Sequence, residues 1–420
     1  MRKTKMIILM IAAVLFSAAC TQQKQGTSDK SAAEILGNPE TLAMSYGGYR
    51  QESRDLGPTV DELKEDMLLL SAMGIRIIRT YNASHFPQAE NILKAIRELK
   101  NADPTFEMYV MIGAWIDCDG AWTDTINHEG EDVERNTIEI ATAVALANRY
   151  PDIVKIIGVG NEAMVHWAGS YFVRPGVILK WVDYLQQLKK EGSLPAATWI
   201  TSSDNFAAWG GGDASYHVED LTALIKAVDY ISMHSYPFHD THYNPAYWTV
   251  SEEEKDLPDL KKIDAAMLRA KDVAISQYDA VSAYMKSLGI DKPIHIGETG
   301  WATIDNSMFT PEGSGAADEY KQKLYYEHMR EWTREAGMSC FFFEAFDEKW
   351  KDDKEPLGSE NHFGLINLQG EAKYALWKLV DEGVFVGLTR NGQTITKTFG
   401  GDEDLLLSNI VPPPVSTQGN

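Results

Sequence analysis

IVKIIGVGNEA (residues 153–163) and PIHIGETGW (residues 293–301) are the two stretches that decide the fold of this 420-residue chain. Each has a short apolar run rich in Ile and Val, and each then reaches a glutamate, Glu162 in the first and Glu298 in the second. Such a run is typical of a buried strand in a parallel sheet. We therefore expect each glutamate to emerge at the carboxyl end of its strand.

The same pattern of a strand followed by a helix recurs eight times along the chain. The predicted strands are Leu42–Tyr46, Ile75–Thr80, Glu107–Ile112, Val154–Val159, Thr198–Ser202, Tyr230–His234, Pro293–Gly297 and Met338–Phe346. The predicted helices are Val60–Ala72, Gln88–Lys100, Arg135–Arg149, Val177–Lys190, Val218–Ala227, a long helix ending near Leu288, Ala317–Ala336 and Glu371–Val380. Eight alternating units predict an α/β fold in which a parallel sheet closes on itself, a (β/α)8 TIM barrel forming a single domain.

The two ends of the chain are predicted to lie outside this barrel, which should span residues 37–400. Residues 21–36 are polar and rich in Gln, Ser, Thr and Lys, so they are expected to form a flexible tether. The barrel domain should end in a hairpin, because Asn391-Gly392 suits a type I′ turn between two short strands. Residues 401–420, which contain three consecutive prolines, are expected to be a flexible tail.

The first 20 residues have the pattern of a secretory signal. Basic residues precede the apolar run Met6–Phe16, which is too short for a permanent membrane helix, and small residues then lead to Cys20. This end resembles a bacterial lipoprotein signal, which implies cleavage before Cys20, lipidation of that cysteine and, with Thr21 following it, an anchor in the outer membrane. The alternative is an ordinary cleaved signal peptide.

Composition limits the partners of the folded part. A net charge of −22 argues against binding of nucleic acid, or of anionic lipid, through the protein surface.

Beyond Cys20 only Cys118 and Cys340 remain, and we expect them unpaired at opposite ends of the barrel. Asp117 and Asp119 flank Cys118, but a hard cation requires more oxygen ligands than these, so no metal and no other cofactor is expected. The chain is expected to be a monomer.

Several motifs, in order along the chain, resemble glycoside hydrolase family 17. Gly160-Asn161-Glu162 resembles the acid/base motif of that family, and Glu298-Thr299-Gly300-Trp301 resembles its nucleophile motif. Phe346-Asp347-Glu348 with Lys351, followed by Glu360 and His362–Leu365, resembles the elements that close the site. The resemblance covers roughly residues 38–380. It departs at Ala302, where plant members usually have proline.

The resemblance implies a retaining mechanism, which the residue types also allow. Two carboxyl groups about 5 Å apart are needed, one to attack the anomeric carbon and one to protonate the leaving oxygen. Strands four and seven lie on opposite sides of a barrel and can present two carboxyl groups to one gap. We assign Glu298 as the nucleophile and Glu162 as the general acid and base, which requires Glu162 to be protonated while Glu298 is ionised.

Further residues after the strands are candidates for holding the substrate. Asn161 could bind the sugar 2-hydroxyl, Tyr236 could orient Glu298, and tryptophans could stack on sugar rings. The candidate substrate-binding residues are Asn161, Tyr46, Arg79, Tyr81, Trp115, Asp204, Trp209, Tyr236, Trp301, Glu348, Lys351 and Glu360. Glu348, Lys351 and Glu360 could instead form a solvated salt-bridge cluster, and some of the tryptophans must fill the core. His234 is expected to line the barrel rather than to carry a proton.

The resemblance implies hydrolysis of a β-1,3-glucan such as laminarin, with a polysaccharide or oligosaccharide as the partner. Two alternatives remain at this stage. The same glutamates could transfer glucan chains to a sugar acceptor, or the barrel could bind glycans without chemistry as a lipoprotein of the cell envelope.

Overall fold

The computed structural model describes residues 30–353 and 355–415. The predicted signal peptide with its lipidation site at Cys20, and the tether up to residue 29, lie outside the described residues. None of the helices in the described part is long and apolar enough to cross a membrane.

Eight parallel strands form a closed barrel. Each strand pairs with the barrel strands that come before and after it along the chain, and the last strand pairs with the first. The strands are β1 Leu42–Ser45, β2 Ile75–Arg79, β3 Tyr109–Ala114, β4 Val154–Asn161, β5 Trp199–Asn205, β6 Ile231–His234, β7 Ile294–Gly300 and β8 Cys340–Phe343. All eight predicted strands are therefore present. Their residues are almost all buried, as expected for a sheet covered on both faces.

A helix follows each strand on the outside of the barrel. The helices are α1 Val60–Ala72, α2 Gln88–Ala102, α3 Val133–Arg149, α4 Pro175–Glu191, α5 Glu219–Ala227, α6 Asp259–Ser287, α7 Glu319–Glu335 and α8 Trp377–Asp381. α1 begins with a capping box, in which the Thr59 hydroxyl accepts from the Glu62 amide and the Glu62 carboxylate accepts from the Thr59 amide. The fold class predicted from the sequence is confirmed.

The amino-terminal end of the barrel is closed by part of the predicted tether. A short helix, Ala32–Ile35, begins with a capping box from Ser31, and both of its end residues are fully buried. They join an apolar cluster inside the barrel that includes Tyr109, Tyr230 and Phe341. The tether prediction was therefore wrong for residues 30–36, because three apolar side chains of this segment find a place inside the barrel.

The eighth unit differs from its prediction. β8 ends at Phe343, since the chain then turns so that the Glu344 and Ala345 carbonyls accept from the amides of Leu365 and Ile366. The helix predicted from residue 371 begins only at Trp377, after a 3-10 turn. Residues 371–372 instead form a short strand that pairs in parallel with residues 396–397.

The predicted hairpin is present but short, joining Thr389–Arg390 to Gln393–Thr394. Asn391 and Gly392 both have positive φ angles, of 53° and 71°, as a type I′ turn requires. The flexible tail that we predicted from residue 401 is corrected for the described residues. Residues 403–407 form a helix, the buried Lys321 donates to the Val411 carbonyl, and residue 415 bridges to residue 250.

Candidate active site

The carboxyl ends of the strands surround a cleft of about 980 Å³, and both predicted catalytic glutamates line it. Glu162 follows the last residue of β4, and Glu298 lies within β7. His234 at the end of β6 is paired in register with Glu298 and also contacts Glu162. The two carboxyl groups, 136 positions apart in the sequence (298 − 162), therefore face one cavity.

Glu298 is held by three hydrogen-bond donors. Its Oε1 accepts from the Tyr236 hydroxyl at 2.7 Å, and its Oε2 accepts from the Tyr81 hydroxyl at 2.9 Å and from the Arg79 guanidinium. Burial and the nearby Glu298 carboxylate raise the pKa of both tyrosines well above the usual 10.0, so both hydroxyls remain protonated and donate.

These contacts keep Glu298 ionised although it is only 7% exposed. Burial alone raises the pKa of its carboxyl group, but the interactions with His234 and Arg79, and the hydrogen bonds from Tyr236 and Tyr81, outweigh it. The pKa of Glu298 therefore lies below the usual 4.5. An ionised carboxylate fixed at both oxygens is suited to nucleophilic attack.

Arg79 links Glu298, the proposed nucleophile, to Asn161, which directly precedes Glu162. This fully buried guanidinium donates to Glu298 and also to Oδ1 of Asn161. Because the Asn161 oxygen is engaged in this way, its amide nitrogen is the group that can donate to a substrate hydroxyl. Asn161 and Arg79 are thus both brought to the site, as predicted from the sequence.

Glu162 is positioned by its backbone and by one histidine. Its φ angle of 45° is unusual for a residue other than glycine, and its amide donates to the Ser203 carbonyl on β5. Its Oε1 lies 3.0 Å from Nδ1 of His234, and the other ring nitrogen of that histidine lies 2.7 Å from the Ser203 hydroxyl. The Glu162 side chain remains 24% exposed, so a substrate can reach it.

Asp204 stabilises the turn after Glu162 and does not bind substrate. It is fully buried, and its carboxyl group accepts from the amides of Met164 and Asn205, both at 2.8 Å. Burial raises the pKa of Asp204 well above its usual value. The prediction that it binds sugar was wrong, because the carboxyl group points into the protein, where it satisfies backbone amides.

Three predicted aromatic contacts are also corrected. Tyr46, Trp209 and Trp301 are fully buried. The Tyr46 hydroxyl donates to Asp66, and the indole N–H groups of Trp209 and Trp301 donate to the Ser232 and Ala316 carbonyls. Each aromatic ring fills the core because its polar atom finds a buried partner there.

The charged residues after β8 form a compact group at the edge of the cleft. Lys351 is paired with Glu344 and lies 3.4 Å from Glu348, whose carboxylate also accepts from the Tyr49 amide at 2.9 Å. Burial opposes the charge of Lys351, but these two carboxylates raise its pKa above the usual value. Glu348 is buried, Lys351 is partly buried, and Glu360 is exposed and lines the cleft. Lys351 therefore does form a salt-bridge cluster, as the alternative predicted, but the cluster is only partly solvated because Glu344 and Glu348 are buried.

Several residues of the site were not predicted from the sequence. Glu344 follows three phenylalanines and was assigned to a strand; it is buried, and burial raises its pKa well above the usual value although Lys351 opposes this. Phe343 and Phe363 line the cleft beside Glu298, as does Trp167, which is 63% exposed. Trp167 lies only five positions after Glu162, so its closeness to the proposed acid in the sequence could have identified it as a site residue.

Trp115 lies at the same face of the barrel, directly after β3, but it does not line the main cleft. It is partly buried, and its indole N–H donates to Asp117 at 2.8 Å. Among the described residues, no group of three or more His, Cys, Asp or Glu side chains could hold a metal ion. Cys118 and Cys340 are free and buried, at opposite ends of the barrel as expected.

The chain matches a known protein family over most of its length. Residues 43–364 match the family model described as the BtgE/BtgC glycoside hydrolase domain. The chain is 61% identical to an endo-laminarinase from Formosa Hel1_33_131, with 93% of this chain and 99% of that chain covered and a TM-score of 0.91.

The chain also has more distant similarities to a solved structure and to a second protein sequence. A glycoside hydrolase family 17 β-1,3-glucanosyltransferase from Rhizomucor miehei superposes with a TM-score of 0.55 at 18% identity, over 80% of this chain and 96% of that chain. A glucan 1,3-β-glucosidase from Arthroderma benhamiae is 24% identical over 321 residues, which are 74% of this chain and 83% of that protein. Taken with the match over residues 43–364, these findings show that the chain belongs to the BtgE/BtgC glycoside hydrolase family, a group of family 17-like (β/α)8-barrel glycosidases.

Proposed function

We propose that the chain is a retaining endo-1,3-β-glucanase that cleaves laminarin-like polysaccharide. The observation that carries this proposal is the pairing of Glu162 and Glu298 in one cleft, in a chain 61% identical over nearly its whole length to an endo-laminarinase. The adjacency of two cavities among the described residues supports endo action. Glu360 lines both the main cleft and a second cavity of about 600 Å³ beside Trp350 and Lys351, so a polymer can extend past the catalytic pair.

In the first step, a Glu298 oxygen forms a bond to the anomeric carbon while the glycosidic C–O bond breaks. Glu162 gives its proton to the departing oxygen, which leaves a covalent glycosyl ester on Glu298. Tyr236, Tyr81 and Arg79 keep Glu298 ionised and oriented for this attack.

In the second step, the Glu162 carboxylate takes a proton from water, whose oxygen bonds to the anomeric carbon as the ester bond breaks. Two displacements at the same carbon retain its configuration. A sugar hydroxyl in place of water would give transfer to a longer chain by the same route.

The experiment is a time course of the purified protein on laminarin. We expect reducing ends together with a ladder of oligosaccharides at the earliest times, and the fresh ends should be β anomers by proton NMR. Inverted products would refute the retaining mechanism, and glucan binding without released ends would favour the non-catalytic alternative. Products longer than a supplied oligosaccharide would identify a transglycosylase.

We also propose that the enzyme is anchored in the outer membrane through a lipid on Cys20. Support comes from the sequence alone, in which a basic start, the apolar run Met6–Phe16 and small residues precede that cysteine. Expressed from its full sequence in a bacterium, the protein should sediment with membranes and dissolve in detergent. Cys20→Ala should move to the soluble fraction, and equal distribution of the two forms would contradict anchoring.

A further inference from the structure

A second aromatic surface lies beside the catalytic cleft, on the loops that follow β3 and β4. Trp122 is 54% exposed, and one face of its indole is stacked on Tyr171, with ring centroids 5.0 Å apart and an angle of 18°. Trp115 packs against the same tyrosine, also at 5.0 Å. We call these three residues the aromatic platform.

One carboxylate fixes both indoles of the platform. Asp117 Oδ1 accepts from the Trp115 indole at 2.8 Å and from the Trp122 indole at 3.1 Å. Asp117 is itself clamped to α3, because its amide donates to the Asn136 side chain and its carbonyl accepts from the same side chain. The rings are therefore held in place before any ligand arrives, which reduces the entropy lost on binding.

The backbone of Trp122 also carries strain. Its φ angle is 65°, in the left-handed region that a bulky side chain rarely adopts, and its amide donates to the Ser170 carbonyl at 2.9 Å. An arrangement that keeps a large aromatic ring exposed at a conformational cost, rather than burying it, points to a binding role.

One loop connects the platform to the active site. The loop from Ala163 to Arg174 carries Trp167, which lines the cleft, and four residues later Tyr171, which belongs to the platform. Burial, and next the carboxylate of Glu162, raise the pKa of the Tyr171 hydroxyl, so this group lies within electrostatic reach of the proposed general acid.

We propose that the aromatic platform binds a pyranose ring of the glucan chain at a position beyond the main cleft. The proposal rests on the glucanase function above and extends it to a binding site outside the 980 Å³ cavity. The flat C–H face of a β-linked glucose suits an aromatic plane, and the open face of Trp122 offers one. Asp117, the carboxylate that contacts both indoles, already accepts from them and lies 3.8 Å from the Arg135 guanidinium, so its charge is compensated and the rings suit a neutral polysaccharide.

The test uses Trp122→Ala, with Tyr184→Ala as the matched control. Tyr184 is 48% exposed on α4 and lines neither cavity, so both variants remove an exposed aromatic side chain. Binding of laminarin is measured by calorimetry in a Glu298→Ala background, and kcat and KM are measured in the active enzyme. The Trp122→Phe variant, which keeps a ring but loses the N–H donor, is included to separate stacking from folding.

We expect Trp122→Ala to raise both Kd and KM for laminarin about fivefold, the value for one lost stacking contact, with kcat little changed. Tyr184→Ala should match the parent, and Trp122→Phe should recover most of the affinity. The loss should shrink on short laminari-oligosaccharides that fit within the cleft.

If Trp122→Ala binds and cleaves laminarin like the parent, or if its only effect is a change of oligomeric state, the platform proposal is overturned. Failure of the glucanase function would look different, because the unsubstituted enzyme would then release no reducing ends from laminarin.

Discussion

Tyr236→Phe removes one of the three donors to Glu298 and little else. The ring keeps its edge-on contacts with Phe343 and Phe363, while the 2.7 Å hydrogen bond to Oε1 is lost. A hydrogen bond to a charged group contributes about 1.5–3 kcal/mol, so kcat/KM for laminarin should fall roughly ten- to hundredfold if the bond acts in the transition state.

The pH dependence gives a second readout of the same change. The Tyr236 hydrogen bond lowers the pKa of Glu298, so its loss must raise that pKa. Glu298 is active when ionised, and activity is therefore lost as the pH falls through its pKa. We expect the acid limb of the kcat/KM profile to lie below pH 4.5 in the parent enzyme and to move to higher pH in Tyr236→Phe.

The control is Tyr320→Phe, which removes a comparable bond from a tyrosine to Asp264, 2.9 Å long, between the outer helices. It should leave both kcat/KM and the acid limb unchanged. A Tyr236→Phe enzyme with the parent's activity and the parent's acid limb would refute the assignment of Tyr236 as the residue that orients the nucleophile.

Three further predictions concern the acid, the turn behind it and the carboxyl-terminal hairpin. Glu162→Ala should slow laminarin hydrolysis about 10²–10⁴-fold yet retain turnover of an aryl laminaribioside with an acidic phenol, and added azide should accelerate it; lack of azide rescue would weaken the assignment. Asp204→Ala should lower the free energy of unfolding by about 2 kcal/mol in urea titrations, since it leaves the buried Met164 amide without its acceptor. Arg390→Ala should lower the free energy of unfolding by about 3 kcal/mol in the same titration, because the fully buried Asp66 loses one of its cationic partners. The kcat of the folded enzyme should stay unchanged.

The barrel was predictable because buried parallel strands are continuous apolar runs. The carboxyl ends of β4, β5 and β7 were predicted two or three residues too short, whereas the prediction for β8 ran three residues too far. β4 extends to Asn161 and β7 to Gly300, although polar residues in these positions are typical of loops. Functional residues occupy the last positions of these strands, so a strand predicted from the hydrophobic pattern alone ends before them.

Whether an individual aromatic residue is buried or exposed could not be predicted from the sequence. Trp301 follows the nucleophile and looks exposed in a loop, yet it is buried because its N–H reaches the Ala316 carbonyl. Trp122 lies in a similar loop and stays exposed, because Asp117 and Tyr171 hold it at the surface. Both outcomes depend on partners distant in the sequence or on loop geometry, which hydrophobic periodicity does not encode.

In the proposed mechanism, Glu298 acts as a nucleophile and becomes covalently bonded to sugar. The most direct test is to treat the enzyme with a 2-deoxy-2-fluoro laminaribiosyl fluoride, which slows the second step, and to map the modified peptide by mass spectrometry. We predict one added laminaribiosyl group per chain, on Glu298. A label on Glu162 or Glu344, or rapid inactivation of the Glu298→Ala variant by the same label, would contradict the mechanism.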